Sequence, residues 1–275
     1  MSYEILIGDV REKLKEIPDQ TVQAVVTSPP YWNLRNYDKD DQLGQEKDAE
    51  DYITNMVEVF RECRRTLNDD GVFWLNVGDG YTNKNLDCIP WRLALALRDD
   101  GWILRSDVIW HKTNGMPSSV MDRCSMCHEY IFMFAKNRKY KFDMKPIEEP
   151  LLGKGGGVFG GKKHAERGEN AIYSGKKWNA EGKTGKHRRT VWSIATSNSK
   201  DAHFAVFPKK IPELAILSTS DKGDTILDPF SGTATTGVVA CQYERNYIGV
   251  ELNENYAKMS LDRLSSECAL EEFLT

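Results

Sequence analysis

No apolar run in this 275-residue chain approaches the length of a membrane span, which takes about 20 consecutive apolar residues. The first residues read as a strand, Glu4-Ile5-Leu6-Ile7, and not as a signal peptide. The six cysteines are scattered and form no disulfide framework, so a reducing, cytoplasmic setting is expected. Cys124-Ser125-Met126-Cys127-His128 has no second Cys-x-x-Cys or His pair to complete a zinc site, and haem attachment would require export. It reads as a loop before a strand, and no metal is expected. Internal repeats and heptads are also missing. What remains is a chain that is 40% hydrophobic, long enough to bury a sizeable α/β core with an inserted lobe.

The net charge of −4 argues at first against a nucleic-acid partner. Its distribution argues the other way. Residues 151–200 hold eleven Lys/Arg against three Asp/Glu, a local balance of +8 that leaves −12 on the rest. A basic lobe on an acidic body is what a phosphate-contacting surface requires, because the attraction is independent of sequence. Within it stand Lys162-Lys163-His164, Lys176-Lys177-Trp178 and His187-Arg188-Arg189. Arginine can read guanine bidentately, whereas lysine mostly anchors phosphates.

Strand-like and helix-like segments alternate through residues 1–145. Ile5-Leu6-Ile7 and Ala24-Val25-Val26-Thr27 read as strands. Tyr52, Ile53, Met56, Phe60, Cys63 and Leu67 recur at helical spacing. Asp69-Asp70-Gly71 reads as a break before the buried strand Val72–Val77. Residues 89–97 suit a helix, and 103–110 and 130–135 suit strands. Near Pro146-Ile147-Glu148-Glu149-Pro150 the pattern changes. Residues 153–185 hold ten glycines and few aliphatics and cannot build a large core alone. Regular structure resumes at Val191-Trp192-Ser193-Ile194. It continues with a helix over 208–217, a strand into Asp228, a helix over 233–241, a strand over 247–250 and a final helix from Asn255. Such alternation predicts a mainly parallel sheet with helices on both faces.

Two segments carry the chemistry. Thr27-Ser28-Pro29-Pro30-Tyr31-Trp32 follows the apolar run Ala24-Val25-Val26, and Asp228-Pro229-Phe230-Ser231-Gly232-Thr233-Ala234-Thr235-Thr236-Gly237 follows Thr225-Ile226-Leu227. The second reads as a strand end, a tight glycine turn and a helix start, the way α/β sheets hold a nucleoside cofactor. Gly232 lets the backbone approach a ligand, and Gly237 permits close helix packing. This turn differs from Gly-x-Gly-x-x-Gly and has no P-loop lysine, which disfavours nicotinamide or triphosphate binding. The first segment reads as a rigid acceptor loop, since consecutive prolines fix φ and cannot donate.

The pair resembles the amino-directed DNA methyltransferases, and Ser-Pro-Pro-Tyr resembles their cytosine-N4 branch. The order, acceptor loop first and cofactor turn last, resembles the permuted β group. His128-Glu129-Tyr130 and Thr190-Val191-Trp192-Ser193-Ile194 are similar to that group as well. The resemblance implies a methyltransferase fold: a mainly parallel mixed sheet flanked by helices, with an inserted DNA-recognition lobe. It divides the chain into a catalytic half (1–145), a target-recognition insert (146–190) and a cofactor half (191–275). It implies S-adenosylmethionine as cofactor. Asp9 would lie near the adenine and Glu251 would take the ribose hydroxyls. Asp228, Pro229, Phe230, Ser231, Gly232 and Thr233 would form the turn beneath the cofactor. His203-Phe204-Ala205-Val206-Phe207-Pro208 would close over its methionine end, through Phe207 and Pro208.

In the same reading the Ser28 hydroxyl accepts one amino hydrogen and the Pro29 carbonyl the other. Pro30 stiffens the loop, and Tyr31, supported by Trp32, stacks on a target base flipped from the duplex. No cysteine stands in the Pro-Cys loop that attack on a cytosine ring carbon would use. The expected reaction is methylation of cytosine N4 in duplex DNA, with Lys162, Lys163, Lys176, Lys177, Arg188 and Arg189 contacting DNA and a restriction endonuclease as companion. Adenine-N6 methylation is the nearest alternative, and a catalytically weak DNA-binding protein that keeps the fold is the alternative of another class. RNA is less favoured, because family RNA enzymes more often carry Asn at the position of Ser28.

Overall fold

The computed structural model describes residues 1–34, 42–115, 118–150, 185–197 and 208–269. They fall into two compact units, residues 1–143 with 189–275, and residues 144–188.

In the larger unit, β1 (Tyr3–Ile7) leads into a short helix, α1 (Val10–Lys13). Then come β2 (Val22–Thr27), α2 (Ala49–Thr66), β3 (Leu67–Val77) and a small hairpin of β4 (Tyr81–Thr82) and β5 (Asn85–Leu86). Next are α3 (Ile89–Asp99), β6 (Ile103–Lys112) and β7 (His128–Ala135). The smaller unit contributes β8 (Glu149–Pro150) and β9 (Gly185–Lys186), and the larger resumes with β10 (Val191–Ile194). It finishes with α4 (Lys210–Thr219), β11 (Thr225–Asp228), α5 (Thr235–Gln242), β12 (Asn246–Glu251) and α6 (Glu254–Ala269).

Eight strands form one sheet in the order β1-β12-β11-β2-β3-β7-β6-β10. Every neighbouring pair is parallel except the two made by β7, which runs antiparallel to β3 and β6. The expected mainly parallel sheet is therefore present, with one reversed strand. All six residues of β2 are buried, as are Val72 to Val77 of β3. Central parallel strands covered on both faces read as such continuous apolar runs. Phe73, Leu75 and Val77 pack under α2 and α3. The alternate residue Trp74 faces α4, where its indole N–H points at the Thr219 hydroxyl 3.4 Å away.

α2 forms because its apolar residues recur on one stripe. Tyr52, Ile53, Met56, Val59, Phe60 and Cys63 are all buried, and the Asp48 carboxylate caps the helix by accepting from the Asp51 N–H at 3.0 Å. The Phe60 and Phe73 ring centres lie 4.7 Å apart, and Phe73 lies 5.2 Å from Trp102. Each such buried side chain contributes about 1.5–3 kcal/mol by removal from water.

The expected break at Asp69-Asp70-Gly71 is a bulge in a longer strand. Leu67 pairs with Val22 and Val72 with Ala24, so the intervening residues loop out of register. Their carbonyls remain satisfied: Asp70 accepts from the Lys141 N–H at 2.9 Å and Asp69 from the Asn137 side chain at 2.8 Å. The β4–β5 hairpin has no strand-like run to announce it. It turns through Asn83 and Lys84, both with positive φ.

The strand order places the functional edge. From β11 the chain crosses to β12 on one side, and from β2 it crosses to β3 on the other. The order thus reverses between β11 and β2. Open α/β sheets bind ligands beyond the carboxyl ends of the strands at such a switch point. Both motif segments, 27–32 and 228–237, emerge there.

In the smaller unit, β8 and β9 pair antiparallel, Glu149 opposite Lys186 and Pro150 opposite Gly185. The Arg188 guanidinium donates to the Ile147 carbonyl at 2.7 Å.

Candidate active site

The buried strands carry few polar residues, and those few converge. Thr27 at the end of β2 donates its hydroxyl to the Asp228 carboxylate at 2.6 Å. The same carboxylate accepts from the Thr236 hydroxyl at 2.8 Å and the Phe230 N–H at 3.1 Å. Asp228 is only 1% exposed, and burial pushes its pKa up to about 6 against the pull of these donors. Asp228, expected within the turn beneath the cofactor, ties the two motif segments together through Thr27 and Thr236.

The turn after Asp228 leaves a concave backbone. Gly232 has φ +54, and a Cβ there would meet nothing within 4 Å, so side-chain bulk is absent where a ligand could approach. Ala234 is also left-handed and starts α5. The turn is braced from β12: Glu251 accepts from the Gly232 N–H at 2.9 Å and from the Asn253 N–H at 2.8 Å. Burial raises the Glu251 pKa to about 7. Close packing explains the next two glycines. A Cβ on Gly237 would lie 2.5 Å from the Tyr247 ring, and one on Gly249 would lie 2.7 Å from the Ser231 hydroxyl, which accepts from Tyr247 at 2.9 Å. Phe230 is half-buried and meets Phe60 edge-on at 6.4 Å. Pro229 is buried, and the Thr233 carbonyl accepts from Arg263 at 3.0 Å.

The acceptor loop is held from two sides. Tyr52 of α2 donates to the Pro30 carbonyl at 2.8 Å, and the Trp32 indole donates to the Glu46 carbonyl at 3.0 Å. Among the described residues no donor reaches the Pro29 carbonyl. Ser28 lies 3.2 Å from the Tyr31 hydroxyl, which donates to Glu129 at 2.7 Å. The Asn76 amide donates to Tyr31 and Glu129 at 2.9 Å each and to Ser28 at 3.2 Å. Lys112 completes the cluster with a 2.5 Å ion pair to Glu129. Burial, and then the Glu129 charge, hold the Tyr31 phenol well above its usual pKa. Gly78 makes room: a Cβ there would lie 2.7 Å from the Tyr31 ring.

A mainly parallel sheet with an open glycine turn, an acidic brace and a proline-stiffened acceptor loop at its switch point fits a group-transfer enzyme that uses a nucleoside cofactor. The sequence matches the DNA methylase family (N6_N4_Mtase) over residues 22–262.

The chain belongs to the DNA methylase family.

The type II methyltransferase M.SmaI of Serratia marcescens is 39% identical, the alignment covering 96% of this chain and 91% of that one. M.Cfr9I of Citrobacter freundii is 37% identical over 94% and 87%. Among solved structures, PvuII DNA methyltransferase (cytosine-N4-specific) superposes with a TM-score of 0.72 at 20% identity, covering 98% of this chain and 92% of that one. A putative DNA modification methylase of Thermus thermophilus, complexed with S-adenosyl-L-methionine, reaches 0.66 at 26% identity, covering 98% and 96%. The expected fold and family are thus found, and with them a DNA methyltransferase that uses S-adenosylmethionine. The open turn at Gly232 and the braced Glu251 carboxylate fit that cofactor.

The remaining expected site residues of the methylase are spread more widely. Asp9 follows β1, whose Ile7 pairs with Glu251, so the two acidic residues end adjacent strands. Asp9 caps α1 by accepting from the Arg11 N–H at 2.8 Å and also pairs with the Arg11 guanidinium, which holds its pKa below the usual range. Pro208 is buried just before α4, its carbonyl accepting from the Ile211 N–H at 2.9 Å. Phe207, Lys162, Lys163, Lys176 and Lys177 lie outside the described residues. Arg189 is exposed, and its carbonyl accepts from the Trp192 indole at 3.0 Å. No helix among the described residues is long and apolar enough to cross a membrane.

Sequence pattern alone passes over Asn76 and gives Glu129 no role. The available signal is a lone amide in the otherwise apolar run Val72–Val77, since a buried polar side chain needs partners.

Proposed function

We propose that this methylase transfers a methyl group to the exocyclic N4 of cytosine at a specific site in duplex DNA, with the target base flipped out of the stack. One observation carries the reading: Ser28 stands at the end of β2 beside a Pro29 carbonyl that meets no donor among the described residues, and Thr27 ties that strand end to the cofactor turn through Asp228 at 2.6 Å.

The amino nitrogen of cytosine is a poor nucleophile because its lone pair is drawn into the ring. The Ser28 hydroxyl and the Pro29 carbonyl each accept one amino hydrogen, which turns the lone pair out of conjugation. Pro29 and Pro30 hold these acceptors with little entropy to lose. Tyr31, its hydroxyl anchored on Glu129, offers its ring as a stacking face, with Trp32 behind it. Displacement at the methyl carbon would form the N–C bond as the C–S bond breaks, leaving S-adenosylhomocysteine as by-product with no covalent enzyme intermediate, and the cationic amino group would then lose a proton to water.

S-adenosylmethionine supplies an electrophilic methyl group on a sulfonium centre. Gly232 and its neighbours Pro229, Phe230, Ser231 and Thr233 would form the floor beneath it. Glu251 would take the ribose hydroxyls and Asp9 would lie toward the adenine, and the resemblance assigns Phe207 and Pro208 to the methionine end. Asp228 acts from beneath, by fixing the turn.

The basic segment supplies the DNA contacts through Lys162, Lys163, Lys176, Lys177, Arg188 and Arg189. The naming of relatives as type II methyltransferases supports a companion restriction endonuclease of the same specificity. Nucleoside mass spectrometry of DNA from cells expressing the protein tests the reading. N4-methylcytosine is expected. N6-methyladenine, the other amino product within the reach of this family, would replace the cytosine assignment, and unmodified DNA would remove the activity.

A further inference from the structure

The hydrogen-bond cluster behind the acceptor loop has a direction. Lys112, Asn76 and Tyr31 all aim donors at the Glu129 carboxylate, at 2.5, 2.9 and 2.7 Å. A carboxylate paired with an ammonium accepts only. The Tyr31 phenol has one hydrogen, and it is committed to Glu129. Its contact with Ser28 at 3.2 Å must therefore run from Ser28 to Tyr31. The Asn76 amide is oriented by the same carboxylate: its Nδ2 donates to Glu129, and its buried Oδ1 has no partner among the described residues. Turned over, it would set its carbonyl oxygen against the Glu129 carboxylate in place of the N–H that now lies 2.9 Å away.

We infer that Glu129 is a positioning residue that sets the hydrogen-bond polarity of Ser28: by drawing the Tyr31 hydrogen it draws the Ser28 hydrogen inward, so that Ser28 offers the substrate amino group a lone pair and never its own hydrogen. A serine free to rotate would spend part of its time pointing a hydrogen at the amino group, as a competing donor. The geometry suits a buried relay. Glu129 keeps 13% of its side chain exposed, Asn76 is 2% exposed, and Gly78 lacks the Cβ that would displace Tyr31. Low local dielectric strengthens such chains.

The inference rests on Ser28 being an amino-group acceptor, as proposed above, but not on which base is methylated. The test is a single-turnover methyl-transfer assay on the full-length protein with S-adenosylmethionine and duplex DNA carrying the target site. Glu129→Gln keeps the size of the side chain and lets it donate as well as accept. Its transfer rate should fall on the order of tenfold to a hundredfold, while the Kd for S-adenosylmethionine and the KM for DNA stay within about twofold of parental. In a Ser28→Ala background the same change should alter the rate by less than about threefold, because no hydroxyl remains to be oriented. Equal losses in both backgrounds would make Glu129 merely structural and overturn the inference, as would a parental rate in Glu129→Gln. If Glu129→Gln does not fold, or Ser28→Ala is too slow to time, Tyr31→Phe decides. It keeps the stacking ring and breaks the chain, so a slowed rate with unchanged KM supports the inference and a parental rate overturns it. Because the assay counts methyl groups, a product other than N4-methylcytosine would overturn the cytosine reading and leave this test intact.

Discussion

Thr27 and Asp228 stand 201 residues apart and share a 2.6 Å hydrogen bond in the middle of the sheet. Thr27 is the last residue of β2, immediately before the acceptor loop, and Asp228 is the last residue of β11, immediately before the glycine turn. The bond joins the strand end that carries the acceptor loop to the strand end that carries the glycine turn. Thr236, reaching back from α5 to the same carboxylate at 2.8 Å, joins the helix behind the turn to the pair.

That tie carries an electrostatic cost and a pH signature. The Asp228 pKa is raised to about 6 in the folded protein, with burial as its largest cause. An acid whose folded pKa is raised contributes stability that is fully present below its unfolded pKa, near 3.9, and is lost as pH rises through the folded value. Between pH 4 and 7 the native protein should therefore lose roughly 3 kcal/mol relative to Asp228→Asn. Urea unfolding of both proteins across that range checks it, since the difference cancels the other carboxylates. A difference that stays constant with pH would mean Asp228 is ionised in the fold at no such cost.

The glycines of the cofactor segment should separate into two kinds. Gly237→Ala drives a methyl group into the Tyr247 ring, 2.5 Å away in the present packing, and should cost about 1–3 kcal/mol of stability. Gly232→Val meets no neighbouring atom but carries a branched side chain at φ +54 into the open side of the turn. It should leave the protein folded and weaken S-adenosylmethionine at least about tenfold, a loss of 1.4 kcal/mol or more. Thermal melts and calorimetric titration distinguish the two. Unchanged cofactor binding in Gly232→Val would move the cofactor away from this turn.

The alternation of apolar runs with the 3.6-residue stripe of α2 makes the sheet and its flanking helices legible in the sequence, because burial on both faces leaves that pattern. The two motif segments are legible for a different reason: proline pairs and glycine turns restrict the backbone locally. The clusters that hold them are not legible. Glu129 reaches Tyr31 only because β7 runs antiparallel beside β3, bringing Tyr130 opposite Val77 and its neighbour Glu129 to the loop. Nothing local in His128-Glu129-Tyr130 encodes that pairing. Sequence alone places Asp228 in the turn, while the direction of its side chain depends on Thr27 and Thr236, contributed by other elements.

The acceptor loop should be sensitive to changes that never touch a base. Gly78→Ala would place a methyl group 2.7 Å from the Tyr31 ring and 3.4 Å from the Glu129 side chain. Tyr31 must then shift, and a displacement of that size in a positioned group slows transfer by about a hundredfold at most. The expected outcome is a slower methylation rate with cofactor affinity unchanged, the same signature as Ser28→Ala, read by single-turnover assay and calorimetry. A Gly78→Ala protein that methylates at the parental rate would show that the position of Tyr31 is not rate-determining.

The basic segment should dominate the salt dependence of DNA binding. Residues 151–200 carry a net +8 on a chain whose total is −4, so counterion release on binding is expected to come largely from there. Removing one phosphate-binding cation should reduce the slope of log affinity against log salt by about 0.9. Replacing Lys162, Lys163, Lys176 and Lys177 with Ala should flatten that slope by up to roughly four such steps and weaken binding alike on cognate and unrelated duplexes. Arg188 and Arg189 should behave differently. Arg188 donates to the Ile147 carbonyl within the smaller unit, which also holds the β8–β9 pair, so Arg188→Ala removes a structural hydrogen bond along with a charge. Its effect should exceed that of one lysine and include a fall in discrimination between cognate and unrelated DNA. Fluorescence anisotropy titrations over a salt series, with both duplexes, measure slope and discrimination together. If the four-lysine variant keeps the parental slope, the phosphate-contacting surface lies elsewhere on the chain.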